Sequence, residues 1–318
     1  MSIQPITIRS DRLSVQCYPQ HGFAITSIVA AEQGAEILWR SPLTVPRELG
    51  SELGEPGDIS GIAFDRDVLL GGWFPMFPTA GHPASFPDRW MHGEAPRVSW
   101  TVESQSDSHV ECTVALPSSG LRVRRRVDVS GNTVSVVMSA HNPTARDRTV
   151  TFGEHPCFPR ALFAGGRLEL PGSSHAEVGR AIQPEASVFR RPDVFVWPSA
   201  TSPDGSPFDA GLIPAEPDGR HDHVSVGSPQ GEAVVRGSEL SVALAWDAEA
   251  LPRVLLWEHF LPDGSMWPAD VFGVEPVSSS GRTMDDAARA GDARTIVAGG
   301  DLSYTMTLTV TTNEKETP

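Results

Sequence analysis

The stretch TFGEHPCFPR, from Thr151 to Arg160, places an acid, an imidazole and two prolines after a segment that alternates like a strand. His155 is well suited to general acid–base chemistry, because the reference pKa of an imidazole is about 6.5. Far along the chain, the run VFGVEP contains Glu275. A carboxylate held in a partly desolvated pocket is suited to accept a proton. Glu154 also neighbours His155, but on a continuing strand its side chain faces the opposite way.

Both candidates also have a structural interpretation, and it stays open at this level. His155 precedes Pro156, and an imidazole in that position can end a strand with its hydrogen bond satisfied. Glu275 precedes Pro276 and can form an ordinary ion pair with Arg282. The choice between these roles and catalysis depends on whether the two side chains meet at one site.

Several enzyme classes are excluded by motifs that the chain lacks. The sequence contains no GxSxG nucleophile elbow, no P-loop and no glycine-rich dinucleotide fingerprint between a strand and a helix. Lysine occurs only at Lys315, in the polar tail NEKETP. A Schiff base needs a buried, tuned amine, which a frayed terminus cannot supply. Elbow-type serine hydrolases, P-loop nucleotidases, Rossmann dehydrogenases and Schiff-base enzymes are therefore not expected.

The metal-ligating residue types do not form a convincing site in the sequence. The three cysteines, Cys17, Cys112 and Cys157, are widely spaced and give neither a disulfide framework nor a CxxC knuckle. The nearest approach to a metal motif is HDH, in which His221 and His223 would share one face of a strand. Such a segment more often caps a strand edge or binds a substrate through its middle aspartate. We expect no metal and no cofactor.

Charge and hydrophobic patterning limit the class of partner. The chain has 318 residues and a formal net charge of -15, which disfavours a nucleic-acid partner because the phosphates would be repelled. The N-terminal stretch MSIQPITIRSDRLSV has no apolar core of signal-peptide length. No later run approaches the roughly 20 apolar residues of a membrane span. These features favour a cytoplasmic protein with no membrane partner, and they leave the oligomeric state open.

Alternation with a period of two dominates the chain. In LRVRRRVDV, the apolar residues fall on one face, and Arg125 alone interrupts their series. The SGN that follows leads into TVSVVMSA, which predicts a hairpin. Further strand candidates are RLSVQCY, FAITSIVA, RVSWTVES, HVECTVAL, GRLEL, HVSV, EAVV, ELSVALAW, RVLLWEHF and DLSYTMTLTV, and TMDDAARAG can form one short turn of helix. Short strands between turns rich in Gly, Pro, Asp and Ser predict an all-β fold, an antiparallel sandwich or barrel. We expect residues 1–318 to form one domain.

Two long segments rich in aromatic residues and proline are the expected positions of a binding site. They run from Gly71 to Trp100 and from Pro184 to His223, and long ordered loops on a β scaffold commonly carry function. A neutral pyranose has apolar C–H faces that aromatic rings cover, and hydroxyls that Asp, Asn, His and Arg bind. The tryptophans nearest to the polar candidates are Trp73, Trp90, Trp257 and Trp267. Each of them can equally belong to the core.

Five short segments together resemble the aldose 1-epimerase (galactose mutarotase) family. GGWFPMFPTAG is similar to the family's Gly-Gly-aromatic-Pro entry to the active-site loop, and RWMHGEAPRVSW to its His-Gly segment. TFGEHPCF is similar to its His-Pro-Tyr-Phe or His-Ser-Tyr-Phe segment, and RHDHVSV to its Tyr-Asp-His segment. VFGVEPVSSSGRTMDDA resembles its late strand ending in Glu. The resemblance implies a large antiparallel β-sandwich, the galactose mutarotase-like supersandwich.

The resemblance also implies an aldose 1-epimerase that interconverts the α and β anomers of a free monosaccharide. His155 would be the acid facing the ring oxygen, and Glu275 the base facing the C1 hydroxyl. His92 would bind the sugar near the ring oxygen, Asp222 would fix ring hydroxyls, and Trp257 would pack on a sugar face. The ring opens to the aldehyde, the carbonyl rotates and the ring closes on the other face. One acid and one base, a pyranose apart, are sufficient for this, and each contributes roughly 10²–10⁴-fold.

The chain departs from the family pattern at two positions. Relatives commonly carry an arginine after the glycine of the first loop, where this chain has His82 after Gly81. His82 is therefore a candidate substitute donor to the substrate. Cys157 stands where relatives often have an aromatic residue.

Two alternative functions remain compatible with the sequence. One is a hexose-6-phosphate mutarotase, which would need an arginine pocket drawn from Arg89, Arg97 and Arg253. The other is a carbohydrate-binding module on the same fold, without turnover.

Overall fold

The computed structural model describes residues 3–50, 62–81, 90–173, 175–178, 186–190, 194–228, 230–261, 269–280 and 283–313 of the chain. The strands of the first half are β1 (Ile6–Arg9), β2 (Leu13–Tyr18), β3 (Ala24–Ala30), β4 (Ala35–Glu36), β5 (Trp73–Met76), β6 (Thr101–Gln105), β7 (His109–Ala115), β8 (Arg122–Ser130), β9 (Thr133–His141), β10 (Arg148–Val150) and β11 (Gly153–Pro159). Those of the second half are β12 (Arg167–Glu169), β13 (Ala176–Val178), β14 (Val194–Phe195), β15 (Ser199–Thr201), β16 (Pro207–Asp209), β17 (His221–Gly227), β18 (Glu232–Arg236), β19 (Leu240–Trp246), β20 (Arg253–Leu261), β21 (Ala269–Val277), β22 (Arg294–Ile296) and β23 (Asp301–Thr312). The α-helices among these residues are α1 (Ile62–Asp67) and α2 (Met284–Ala290), and 3₁₀ turns lie at Ala95–Arg97 and Arg160–Phe163.

Two large sheets contain most of these strands. Within the described residues, the first sheet has the order β1-β2-β3-β5-β11-β21-β20-β17-β13-β14, with β4 attached to β3. The second sheet has the order β12-β18-β19-β23-β9-β8-β7-β6, and β10-β22 and β15-β16 form separate two-stranded ribbons. Neighbouring strands in both sheets run antiparallel. The prediction of an all-β antiparallel sandwich is confirmed.

The hydrophobic core lies between the two sheets, and the alternation seen in the sequence supplies it. Val123 and Val127 of β8 are buried, and so are Val136 of β9 and Leu308 of β23. They belong to one cluster with apolar residues of the first sheet. Polar and charged residues alternate with them and face away from the core.

Arg125, which interrupts the apolar series of β8, points into this core and is fully buried. Its guanidinium donates to the Oε2 atom of Glu154 at 2.8 Å and to the carbonyl of Phe23 at 2.7 Å. The same carboxylate accepts from Trp73 Nε1 at 2.7 Å and from the Tyr304 hydroxyl at 3.1 Å. A buried charge is tolerated only when it is paired and hydrogen-bonded. This network therefore ties β8 and β23 of the second sheet to β5 and β11 of the first.

The helix predicted at TMDDAARAG is confirmed as α2. Thr283 is its N-cap and forms a capping box with Asp286. Gly291, with a φ of 75°, ends the helix in the left-handed conformation. Helix α1 is not predicted by the sequence analysis. Among the described residues, no helix is long and apolar enough to cross a bilayer.

The two segments expected to be long loops contain strands. The segment 71–100 contains β5, whose residues are all buried, and 184–223 contains β14 to β16 and the start of β17. A strand buried on both faces shows a continuous apolar run instead of alternation. Because Pro75 also stands inside that run, the pattern is more typical of a loop.

The first sheet also buries apolar residues on its outer face, which points away from the second sheet. A second cluster there contains Phe74 and Met76 of β5, Cys157 of β11 and Trp257 of β20. Phe64 of α1 belongs to the same cluster. Helix α1 therefore packs on the outer face, next to the candidate site residues.

Candidate active site

Neighbouring strands of the first sheet bring His155, Glu275 and Trp257 to its outer face. Cys157 of β11 lies opposite Gly273 of β21, and Gly273 in turn lies opposite Trp257 of β20. Side chains two residues apart on a strand share a face. His155 and Glu275 therefore point to the same side as Cys157 and Trp257.

His155 and Glu275 are in direct contact. The Nε2 atom of His155 lies 3.1 Å from the Oε1 atom of Glu275, and each side chain is only 5% exposed. A Cβ atom at Gly273 would lie 3.0 Å from this Oε1 and 3.0 Å from the Cε1 atom of His155. The absence of a side chain at Gly273 therefore makes room for the pair. The expectation of an acid and a base a pyranose apart does not hold here, because cross-strand neighbours on one face lie close together.

Aromatic rings surround the imidazole of His155. Phe74 stacks on it with ring centroids 4.6 Å apart, and His92 and Trp257 meet it edge-on at 5.4 and 5.7 Å. His92 has a φ of 58°, a left-handed backbone conformation that is uncommon for a residue other than glycine. Its Nδ1 atom lies 3.0 Å from the sulfur of Met76. The structure thus brings His155, His92 and Trp257 into one cluster.

Burial moves the two titrating groups towards their uncharged forms. Desolvation lowers the pKa of His155 to about 3. Desolvation also raises the pKa of Glu275 well above its ordinary value, and the negative charge of Asp65 on α1 adds to that shift. Burial therefore favours the uncharged form of the pair, a neutral imidazole next to a protonated carboxyl.

No protein-family model and no curated protein sequence matches the chain. A galactose mutarotase-like protein from Lactobacillus casei superposes with a TM-score of 0.66 at 17% identity, over 97% of this chain and 100% of that one. A galactose mutarotase-like protein from Clostridium acetobutylicum gives a TM-score of 0.65 at 13% identity, over 97% and 95%. A protein from Escherichia coli K12, provisionally named an aldose 1-epimerase, gives 0.68 at 17% identity, over 98% and 99%.

The chain has the galactose mutarotase-like fold. The likeness extends over nearly the whole of both chains in each comparison. At these identities the likeness shows the fold alone. The role of each side chain is therefore argued from the geometry of the site.

Within the galactose mutarotase-like fold, Asp222 lies on the other face of the first sheet from His155. Alternation along β17 places Asp222 with the core residue Val224. Its carboxylate accepts hydrogen bonds from the Ser187 hydroxyl at 2.6 Å and the Val188 amide at 2.9 Å. The carboxylate of Asp222 thus bonds to the segment 187–188 on the core face, and its binding of ring hydroxyls stays a prediction.

His221 and His223 share a face of β17, as the HDH pattern predicts. Their ring centroids lie 5.5 Å apart, and the ring of His259 on β20 lies 4.4 Å from that of His221. In the part of the chain that the structure describes, no group of three or more His, Cys, Asp or Glu side chains could hold a metal ion.

The remaining candidates lie in the core or outside the described residues. Trp73 belongs to the core through its bond to Glu154. Trp90 is buried and also belongs to the core cluster. His82 and Trp267 lie outside the described residues.

Sequence reasoning missed Phe74, Asp65 and the contact of Cys157 with His155. Phe74 lies in the GGWFPMFPTAG segment, so the sequence pattern could have indicated its position beside the site. Asp65 had no such signal, because α1 itself was not predicted.

Proposed function

We propose that this protein is an aldose 1-epimerase, which interconverts the anomers of a free monosaccharide with His155 and Glu275 as the proton-transfer pair. The observation that carries the proposal is the 3.1 Å contact between these side chains on the outer face of the sheet. The rings of Phe74, His92 and Trp257 around His155 supply the apolar surface that a pyranose face requires. The galactose mutarotase-like fold supports the same assignment.

The direct contact between the two groups dictates how a sugar would be placed. A pyranose does not fit between atoms 3.1 Å apart. The C1 hydroxyl and the ring oxygen are bonded to the same carbon, so one sugar edge can meet both groups together. In the proposed reaction Glu275 removes the proton of the C1 hydroxyl while His155 protonates the ring oxygen, and the ring opens. Reclosure on the other face of the carbonyl reverses both transfers.

The activity is tested on freshly dissolved α-anomers of a panel of hexoses and pentoses, by polarimetry or by NMR exchange spectroscopy. We expect anomer exchange faster than in buffer for at least one neutral aldose. The same panel includes hexose 6-phosphates. Acceleration confined to the phosphates would favour the phosphate-specific alternative and overturn the assignment to a free sugar. No acceleration with any sugar, together with saturable sugar binding, would favour the non-catalytic module.

The assignment of the pair is tested with His155→Asn and Glu275→Gln. Each is expected to lower kcat by roughly 10²–10⁴-fold, the usual contribution of one general acid or base. His141→Asn and Glu169→Gln are matched controls, because both side chains are partly exposed and pair with surface residues. The controls are expected to retain wild-type turnover. Wild-type turnover in His155→Asn or in Glu275→Gln would remove that residue from the mechanism.

A further inference from the structure

The imidazole of His155 is held at both of its nitrogens. Nε2 faces Glu275 at 3.1 Å, and Nδ1 lies 3.3 Å from the sulfur of Cys157. The same sulfur lies 3.8 Å from the carbonyl oxygen of His155. Cys157 is buried and follows His155 by two residues on β11, so the two side chains share the outer face. These contacts constrain where the ring proton can reside.

A neutral imidazole carries one proton, so His155 has two possible tautomers in this site. In the first arrangement, Nε2–H donates to Oε1 of Glu275, which is either ionised or protonated on its other oxygen, and the thiol donates to Nδ1. In the second, a protonated Glu275 donates to Nε2, Nδ1–H donates to the sulfur, and the thiol donates to the carbonyl of His155. The second arrangement uses all three of the contacts, whereas the first leaves the thiol–carbonyl contact unmade.

Burial also favours the second arrangement. With an ionised Glu275, the first arrangement needs a carboxylate charge in a site where that side chain is 5% exposed, and the charge of Asp65 opposes it. With a protonated Glu275, the first arrangement still leaves the thiol–carbonyl contact unmade. Burying an unpaired charge is far more costly than burying a neutral, hydrogen-bonded pair. The thiol keeps its proton in either case, because burial raises the pKa of Cys157 well above its ordinary value. The charge of Asp65 adds to the shift, and so does that of Glu275 when it is ionised. Cys157 therefore acts as a neutral hydrogen-bonding group.

We propose that Cys157 is a positioning residue that holds His155 as the Nδ1–H tautomer, with Nε2 accepting a hydrogen bond from the neutral carboxyl of Glu275. The consequence for catalysis rests on the proposed function. When a sugar binds, the proton moves from Oε1 of Glu275 to Nε2 of His155. This gives a carboxylate and an imidazolium with no change in the number of protons. Glu275 is then the base and His155 the acid, while Nδ1–H stays on the sulfur. The opposite tautomer would leave no free nitrogen to receive that proton.

The tautomer is measured directly by long-range ¹H–¹⁵N correlation spectra of the ligand-free full chain, labelled with ¹⁵N at histidine. His155→Gln identifies the signals of residue 155. We expect a protonated, pyrrole-type shift at Nδ1 and an unprotonated, pyridine-type shift at Nε2 at neutral pH. An Nε2–H tautomer or an imidazolium in the wild-type protein would overturn the proposal.

Cys157→Ala and Cys157→Ser test whether the thiol sets the tautomer. Alanine removes the acceptor, so a substantial Nε2–H population is expected, whereas serine keeps a group that accepts and donates and is expected to retain Nδ1–H. Cys112→Ala is the matched control, because Cys112 is an equally buried cysteine on β7. An unchanged Nδ1–H tautomer in a folded Cys157→Ala would refute the role of Cys157. If that variant does not fold, the wild-type and Cys157→Ser spectra still decide the assignment.

Turnover provides the second readout. Cys157→Ala is expected to lower kcat about three- to tenfold, the effect of one weak hydrogen bond, with KM little changed, and Cys157→Ser is expected to recover most of the loss. Equal kcat in the alanine variant and the wild type would refute the catalytic consequence. The spectra need no substrate, so the two proposals can fail separately. An inactive wild-type protein with the expected tautomer would contradict the proposed function but would still support the assignment of the Nδ1–H tautomer to His155.

Discussion

Removing Arg125 is expected to destabilise the protein far more than removing the arginine beside it. Arg125 is fully buried and donates to Glu154 and to the Phe23 carbonyl. Arg125→Met leaves the Glu154 carboxylate in the core with Trp73 Nε1 and the Tyr304 hydroxyl but without a counter-charge. Breaking a buried pair by removing one partner costs about 3–5 kcal/mol. The orphaned carbonyl adds about 1 kcal/mol, so we expect a loss of roughly 4–6 kcal/mol.

Arg124→Met is the control for this prediction. It makes the same substitution one residue earlier on β8, where the side chain is 60% exposed and lies 3.6 Å from Glu111. An exposed ion pair contributes about 0–1 kcal/mol. Urea unfolding of both variants at pH 7 measures the two free energies. The double variant Arg125→Met, Glu154→Gln is expected to recover part of the loss, because it removes the unpaired charge.

Comparable losses in Arg125→Met and Arg124→Met would refute the reasoning, since Arg125 is buried and hydrogen-bonded in the core, whereas Arg124 forms an ion pair at the surface. A double variant less stable than Arg125→Met would show that the charge on Glu154 is compensated by its remaining donors.

Two further predictions concern the His155–Glu275 pair and the buried carboxyl of Glu258. Gly273→Ala is expected to lower kcat at least as much as Cys157→Ala, since its Cβ would lie 3.0 Å from Glu275 and His155. Gly227→Ala is the control and is expected to leave kcat unchanged, because the nearest contact of its Cβ is 3.9 Å away. Equal kcat values for the two glycine variants would contradict the prediction. Burial raises the pKa of Glu258 from 4.5 to about 7, so its contribution to stability is complete below pH 4.5 and is lost as the pH rises towards 7. The free energy of unfolding linked to this titration is up to roughly 3 kcal/mol. The stability of the wild type relative to Glu258→Gln, measured by urea unfolding, is therefore expected to fall over that pH interval. Parallel pH–stability curves of the two proteins would show that Glu258 does not titrate there.

Local pattern alone indicated much of the secondary structure. The alternation in LRVRRRVDV and DLSYTMTLTV predicted β8 and β23, and the short turn of helix expected at TMDDAARAG is α2. The interruption of the apolar series at Arg125 marked the one basic residue of that strand that faces the core. The alternation also placed Glu154 and His155 on opposite faces, and the structure agrees. These features depend on residues near one another in the chain, so the sequence carries them directly.

Packing decided which strands became neighbours and in which register. His155 and Glu275 meet at 3.1 Å because β11 pairs with β21 in one register, and a shift of one residue would place them on opposite faces. The alternation in HDH put Asp222 and its flanking histidines on opposite faces, but only the packing of the sheets decided that Asp222 faces the core. The contact of Cys157 with Nδ1 depends likewise on the rotamer that Phe74 and Glu275 impose on His155. Periodicity fixes which side chains of a strand point together, and only the hydrogen-bonded partners of that strand decide what they meet.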